Sequence, residues 1–388
     1  MSVYLDYAAT TPLSDAVQKS IIDHMSLFGN PSSLHRLGVE SERKVKSVKA
    51  LIADELGAKE NEVIFTSGGT ESNNLAVLGM HTSKSNARYI TTAIEHPSVL
   101  NAFQQLEKRG HEVIYLNVDS NGIIDLTELE NALNNDTVLV SIMAVNNEVG
   151  SIQPILEAGS MINKYNMTHQ SQIKFHVDAV QAFGKIQLNM NQLKVDLMTI
   201  SAHKIGALKG CGALIKRSHV TLKPLVYGGQ QEYGIRPGTE NLMGIVSFGA
   251  AIEVFKEDKS SRLQQVNTLR DKIVQKLTSL EGVCINGNGL HQSPYILNVS
   301  FLGVKAEVLL HALESKEIYV ATGSACSSKK KSHSHVLKAM GFEDLRMEGS
   351  IRLSLSDGLS DADVLWAVEE IMSTASDLRA IMQIKKRK

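Results

Sequence analysis

Apolar residues spaced three and four apart at Val17, Ile21, Met25 and Phe28 predict a helix over 15–28, with Ser14 as its N-cap and Gly29-Asn30-Pro31 as its stop. A second helical period runs through Val45, Val48, Ile52 and Leu56. It ends at Gly57, a residue suited to the left-handed position after a helix. Then the pattern changes. Short apolar runs, rich in β-branched residues and bounded by Gly, Asn or Asp, recur at 63–65, 89–90, 113–116, 138–142, 175–177 and 197–200, with helical stretches between them. Continuous apolar runs suit strands buried on both faces, and their alternation with helices predicts an α/β region built on a mainly parallel sheet.

Past residue 240 the alternation stops. Helical stretches at 240–255 and 262–280 follow one another without a strand. After them come a strand at 296–300, a helix at 306–313, a strand at 351–354 and a closing helix at 361–382. The expected organisation is a large domain over 14–255 and a small α+β domain formed by 1–13 and 256–388. Lys385-Lys386-Arg387-Lys388 reads as a solvated tail.

Composition narrows the function classes. The chain has 388 residues, 43% hydrophobic and 21% charged, which is ordinary for a globular protein with a large core. Forty basic against 41 acidic side chains leave a net charge of −1, so charge gives no argument for a nucleic acid or an anionic membrane as partner. No apolar run approaches the roughly 20 residues of a membrane span, and Asp6 interrupts any leader-like stretch. A cytoplasmic protein is expected. The three cysteines, Cys211, Cys284 and Cys326, are widely spaced and form no C-x-x-C pair, which argues against a zinc ribbon, a redox pair or a disulfide framework.

Three stretches carry candidate chemistry. Ser67-Gly68-Gly69-Thr70-Glu71-Ser72-Asn73 joins a strand to a helix, where free backbone N–H groups, the helix dipole and the Thr70 hydroxyl can hold a phosphate. Its spacing is neither Rossmann nor P-loop, and a plain capped turn is the alternative. Phe175-His176-Val177-Asp178-Ala179-Val180-Gln181 and Ser201-Ala202-His203-Lys204-Ile205-Gly206 put polar groups at the carboxyl ends of strands, where open α/β sheets bind ligands. An Asp can pair with a protonated ring nitrogen, and a Lys can form a Schiff base with an aldehyde. With a phosphate turn, these are the parts of a pyridoxal phosphate site. Taken singly, Lys204 also reads as a surface lysine and Asp178 as a cap.

The ordered set of Leu5-Asp6-Tyr7-Ala8-Ala9-Thr10-Thr11, Thr66-Ser67-Gly68-Gly69-Thr70-Glu71, Ile94-Glu95-His96, Asn146-Asn147-Glu148-Val149-Gly150, His176-Val177-Asp178, Ser201-Ala202-His203-Lys204 and Gly323-Ser324-Ala325-Cys326 resembles the signatures of NifS/IscS-type cysteine desulfurases. These are class V aminotransferase members of the fold-type I pyridoxal phosphate enzymes. The resemblance implies conversion of L-cysteine to L-alanine. It implies that Lys204 holds the cofactor and shuttles the substrate Cα proton, that Asp178 keeps the ring nitrogen protonated, and that His96 stacks on the ring. A helix cap before Pro97 is the other reading of His96. Gln181 and Asn147 are implied to contact the ring hydroxyl, with Asn146 the lesser candidate of the pair. Gly69, Thr70, Ser201 and His203 are implied to hold the phosphate. Thr239 matches a residue that reaches the phosphate of a neighbouring subunit, which implies a homodimer with shared sites. Arg352, in Ser350-Ile351-Arg352-Leu353-Ser354, is implied to bind the substrate carboxylate, for which a guanidinium fork is well shaped. Asn30 and His35 are expected near the substrate entrance.

Cys326 sits in a polar stretch without apolar period, and Lys329, Lys330 and Lys331 follow it. By the resemblance it takes sulfur from the substrate as a persulfide and passes it to an acceptor protein, whereas Cys211 and Cys284 read as packing residues. The lysines favour a thiolate and suggest an acidic patch on the acceptor, though such a run is also an ordinary solvated loop. One departure stands out: many relatives carry Glu-Pro-Ser before the next helix, and here His333 replaces the proline. A selenocysteine lyase or another class V enzyme remains an alternative from the residues, as does a metal-binding scaffold using His333, His335 and Cys326.

Overall fold

The computed structural model describes residues 2–80, 82, 84–257, 259–287, 290–323 and 333–386, with side chains to residue 381. In chain order its strands are β1 (Val3–Tyr4), β2 (Val63–Thr66), β3 (Arg88–Thr92), β4 (Glu112–Leu116), β5 (Thr137–Met143) and β6 (Lys174–Asp178). There follow β7 (Leu197–Ser201), β8 (Gly212–Lys216), β9 (Val283–Asn286), β10 (Ile296–Phe301), β11 (Ile318–Tyr319), β12 (Ala321–Thr322) and β13 (Ser350–Ser354).

Seven of them form one sheet in the order β2-β8-β7-β6-β5-β3-β4. Every neighbouring pair is parallel except those involving β8, which runs antiparallel to both β2 and β7. Because β8 reverses twice, β2 again points the same way as β7. The carboxyl ends of β2, β3, β5, β6 and β7 therefore lie along one edge, which is the geometric basis of the site. The predicted parallel strands are all present. The antiparallel β8 was not foreseen, since the run Gly212-Ala213-Leu214-Ile215 has the hydropathy of any buried strand and carries no mark of direction.

A second, antiparallel sheet has the order β12-β13-β10-β9, and the short parallel pair β1 and β11 stands apart. Strand β9 falls on the strand-like apolar run around Cys284. The N-terminal segment runs on beside β13 through an Asp6 to Ser354 bridge and then reaches the large sheet, where Thr11 N–H donates to the His203 carbonyl. One apolar cluster spans both sheets, from Phe175, Val177, Met198 and Ile200 to Ile296, Val299, Phe301, Ile351 and Leu353. Each such fully buried side chain contributes about 1.5–3 kcal/mol relative to exposure.

Helix boundaries follow local chemistry. Ser14 accepts from Val17 N–H and opens the helix Asp15–His24, while Gly57 closes Arg36–Leu56 in the left-handed conformation. The first helix ends before 28 because only Val17 is buried. Met25 and Phe28 continue the apolar period but stay 69% and 76% exposed, so no packing extends the helix to them.

Candidate active site

The edge formed by the parallel strand ends opens into a cavity of about 620 Å³. Strand β2 leads through Gly68 into the ten-residue helix Gly69–Leu78, so the first amides of that helix face the space. A Cβ on Gly69 would lie 2.8 Å from Val180 Cγ2, so this close approach needs glycine. Gly69, Thr70, Ser201 and His203 line both the cavity and an adjoining recess of about 260 Å³ that Lys209 also borders. Hydroxyls, a helix N-terminus and a nearby ammonium make that recess an anion cradle.

Asp178, at the end of β6, also lines the cavity. Its Oδ2 accepts from Asn73 Nδ2 at 2.7 Å and its Oδ1 from Val180 N–H at 2.9 Å, so the carboxylate is fixed at 5% exposure. Asn73 also donates to Ser98 Oγ at 2.8 Å, which ties Asp178 to the turn that holds His96. His96 follows β3. Its Nδ1 accepts from Ser98 N–H, making it the N-cap of Pro97–Lys108, while the ring lines the cavity. His96 therefore caps the helix and borders the cavity at the same time. Burial pushes its pKa down, so the neutral ring is favoured.

Lys204 lies in the short 3-10 turn Ala202–Lys204 after β7. Its Nζ donates to the carbonyls of Ala8 and Ala9 at 2.6 and 2.8 Å, and Thr11 Oγ1 donates to its own carbonyl at 3.1 Å. His203 Nδ1 is 3.2 Å from Thr10 Oγ1; burial, then the Lys204 and Lys209 charges, bring its pKa down to about 4. Gln181 and Asn147 both line the cavity. Asn146 does not: it is fully buried, with Oδ1 accepting from the Glu148 and Val149 amides and Nδ2 donating to the Ile94 carbonyl.

From the antiparallel sheet, Arg352 on β13 reaches across. It donates to the Asn147 carbonyl at 2.8 Å and to Asp6 Oδ1 at 2.7 Å, and its buried Nε has no protein acceptor. Glu148, Ser334 and His335 also line the cavity; of these the sequence had singled out only His335, as a metal-ligand candidate. Ser334 Oγ donates to Glu148 Oε2 at 2.5 Å, and His335 Nε2 lies 2.9 Å from the Glu95 carbonyl. Buried Glu95 accepts from Thr92 Oγ1 and the Met143 amide on Oε1; burial, then Asp178, raise its pKa to about 8. Burial also raises Glu148. These contacts join residues up to 240 positions apart, so no local pattern announces them.

Other expected residues lie elsewhere. Thr239 is exposed and borders a separate pocket with Cys211, Glu232 and Arg236. Asn30 and His35 do not line the cavity; His35 caps the helix Arg36–Leu56. Buried Cys211 has its thiol pushed up to about 12, which leaves it unreactive, and Cys284 sits half-buried on β9. Cys326 and Lys329, Lys330 and Lys331 fall outside the described residues. His333 is within them and borders the cavity.

An anion cradle, a fixed carboxylate and a lysine lining one cavity are the donor set a phosphorylated pyridine aldehyde requires, and the cavity is large enough to take one. The family model for class V aminotransferases matches residues 3–365. The chain belongs to this family. Members of this class V family are pyridoxal phosphate enzymes. Over 389 residues the chain is 40% identical to the cysteine desulfurase IscS of Pasteurella multocida, covering 98% of this chain and 94% of that one. A solved NifS-like protein superposes with a TM-score of 0.90 at 36% identity, over 97% of this chain and all of that one. A structure of SspA in complex with cysteine gives 0.80 at 33% identity, over 92% and 99%. The class V assignment and the mixed α/β architecture place the chain in fold-type I, as its sequence motifs implied.

Proposed function

We propose that this chain is a pyridoxal phosphate-dependent cysteine desulfurase that converts L-cysteine to L-alanine and receives the sulfur on Cys326. The observation that carries the reading is the single cavity onto which Gly69, Thr70, Asp178, Ser201, His203 and Lys204 converge from one side and Arg352 from the other. Gly69, Thr70, Ser201 and His203 would hold the phosphate, Asp178 the ring nitrogen, and His96, Asn147 and Gln181 the ring. When bound, the cofactor supplies the electron sink that makes the substrate Cα proton acidic and weakens the Cβ–S bond.

The chain's own groups do the rest. Arg352 binds the substrate carboxylate as a charged fork, its direction set by Asp6 and the Asn147 carbonyl. The Lys204 amine, held near the Ala8 and Ala9 carbonyls, takes and returns the Cα proton. Neutral His96 and His203 can form hydrogen bonds without competing for that proton. The Cys326 thiolate attacks the substrate sulfur. An S–S bond forms, the Cβ–S bond breaks, its electron pair stays with the carbon skeleton, and protonation there yields alanine.

A large domain over 14–255 and a small one over 1–13 and 256–388 fit the division into two sheets. A homodimer is supported by large apolar groups left in water, including Phe28 at 76%, Leu34 at 98% and Tyr227 at 84% exposure, and by exposed Thr239, which would serve the partner's phosphate. The near-neutral charge and the absence, among the described residues, of a helix long and apolar enough to cross a membrane support a cytoplasmic enzyme. Its sulfur would pass to an acceptor protein that feeds iron–sulfur assembly or tRNA thiolation and that carries an acidic patch toward Lys329, Lys330 and Lys331.

Purified protein given pyridoxal phosphate, L-cysteine and a thiol reductant should release alanine and sulfide in equal amounts. Cys326→Ser should bind the cofactor normally and release no sulfide. Undiminished sulfide release from that variant would remove Cys326 from the reaction.

A further inference from the structure

Behind the main cavity lies a second space of about 320 Å³, and Lys204 and Lys185 both line it. The reaction proposed above gives Lys185 no task. Its Nζ donates to Gln181 Oε1 at 3.1 Å and stands 5.8 Å from the centre of the Tyr295 ring. Gln181 Nε2 donates to the Ala8 carbonyl at 2.9 Å, and Lys204 Nζ donates to that same carbonyl at 2.6 Å. Lys185, Gln181, Ala8 and Lys204 thus form one continuous hydrogen-bonded chain.

The chain has a sense. An amide can present either its oxygen or its NH2 to a neighbour, but an ammonium offers donors only. Set between the Lys185 amine and the Ala8 carbonyl, which can only accept, Gln181 turns its oxygen toward the lysine and its NH2 toward Ala8 and the main cavity. One of the two N–H groups serves Ala8, which leaves the other for a ligand. The charged surroundings are specific. Lys204 and Arg352 repel the Lys185 ammonium; Lys259, Arg262 and Asp357 line the same space, together with the phenols of Tyr7 and Tyr295. Arg262 is engaged by Asp357 and Lys259 by Glu55, so neither acid is committed to Lys185. Burial, then the Lys204 and Arg352 charges, bring the Lys185 pKa down to about 7.

We propose that Lys185 is a positioning residue that, together with the Ala8 carbonyl, clamps the Gln181 amide so that an N–H donor, and not the carbonyl oxygen, faces bound pyridoxal phosphate. This rests on the cofactor reading given above. A donor at the ring hydroxyl favours its deprotonated form, and a cation behind the donor acts in the same direction.

The test compares the full-length wild type with Lys185→Met, which fills the same space without donor or charge. Two quantities are read: the affinity of cofactor-free protein for pyridoxal phosphate, and the pH midpoint of the visible absorption of bound cofactor. Lys185→Met should weaken the affinity about tenfold and raise the midpoint by about one unit. Lys185→Arg should recover most of both. In a Gln181→Met background, adding Lys185→Met should leave the affinity within about twofold, because the two residues act in series. If Lys185→Met does not fold, Lys185→Gln gives the same reading, since a neutral amide imposes no sense on its partner. An unchanged affinity and midpoint in a folded variant would overturn the inference, as would additive losses in the double variant. A wild type that does not bind pyridoxal phosphate at all would instead overturn the cofactor reading.

Discussion

The two sheets that face the cavity supply it in opposite ways. The seven-stranded sheet delivers groups from strand ends: Gly69 and Thr70 after β2, His96 after β3, Asn147 after β5, Asp178 and Gln181 at and after β6, Ser201, His203 and Lys204 at and after β7. The antiparallel sheet delivers Arg352 from within β13, where it pairs in register with Asn298 and Ala321. Like-pointing strands gather all their carboxyl ends at one edge, so short side chains suffice there. The antiparallel sheet also borders the cavity with Ala321 and Thr322 of β12, but the charged group it supplies, Arg352, is a long side chain that reaches in from mid-strand. The first side is set by backbone; the second is held by side-chain contacts such as Arg352 to Asp6.

The comparison can be broken most forcefully at Lys204. Lys204→Ala should lower the rate of alanine formation by roughly 10³-fold or more, leaving the thermal melt close to wild type. A loss below tenfold would mean that the strand-end side does not hold the proton-transfer group. Arg352→Lys tests the opposite side. It keeps the charge but loses the fork, so kcat/KM for cysteine should fall tenfold to a hundredfold, mainly through KM. A loss confined to kcat would instead make Arg352 an anchor for Asp6 and the Asn147 carbonyl.

A smaller effect concerns buried charge on the strand-end side. The Glu95 carboxyl keeps its proton to about pH 8 when folded, whereas in the unfolded chain it ionises near the ordinary 4.5 of a glutamate. Between those values the folded state binds more protons, so this group's contribution to stability falls as pH rises. Glu95→Gln removes that dependence while an amide oxygen can still accept from Thr92 and Met143. The stability of wild type relative to Glu95→Gln should therefore drop by about 2 kcal/mol from pH 6.5 to pH 8, measured by urea unfolding. A constant gap would show that Glu95 is ionised at both pH values.

The same contrast explains what was legible in the sequence. Asp178 and Ser201 could be picked out because each closes a largely apolar strand run, and Lys204 because it follows within three residues; a strand end is visible in one dimension. Ser14 and Gly57 were legible for the same reason, as caps are local. Asn73 stood inside a recognised stretch, yet its bond to Asp178 spans 105 residues and has no local trace. The direction of β8 was hidden too, since hydropathy reports burial and not polarity. Glu95, Glu148, Ser334 and His335 are polar residues that act on one another only once the two sheets meet.

The smallest effect expected is at Ser334. Gly323 and Ser334, which precede and follow Cys326 in the sequence, both approach Glu148. A Cβ on Gly323 would lie 2.8 Å from Glu148 Oε2, and Ser334 Oγ donates to the same oxygen. Ser334 Oγ also accepts from the Leu337 amide and so caps the helix His335–Ala339. Ser334→Ala should cost about 1 kcal/mol of stability and slow sulfide release more than it alters KM for cysteine, because Arg352 is untouched. Ser334→Thr keeps the hydroxyl and should recover most of both losses. Were Ser334→Ala to raise KM as much as Arg352→Lys does, the two contacts would be parts of one clamp, and the division between a substrate anchor and a helix cap would fail.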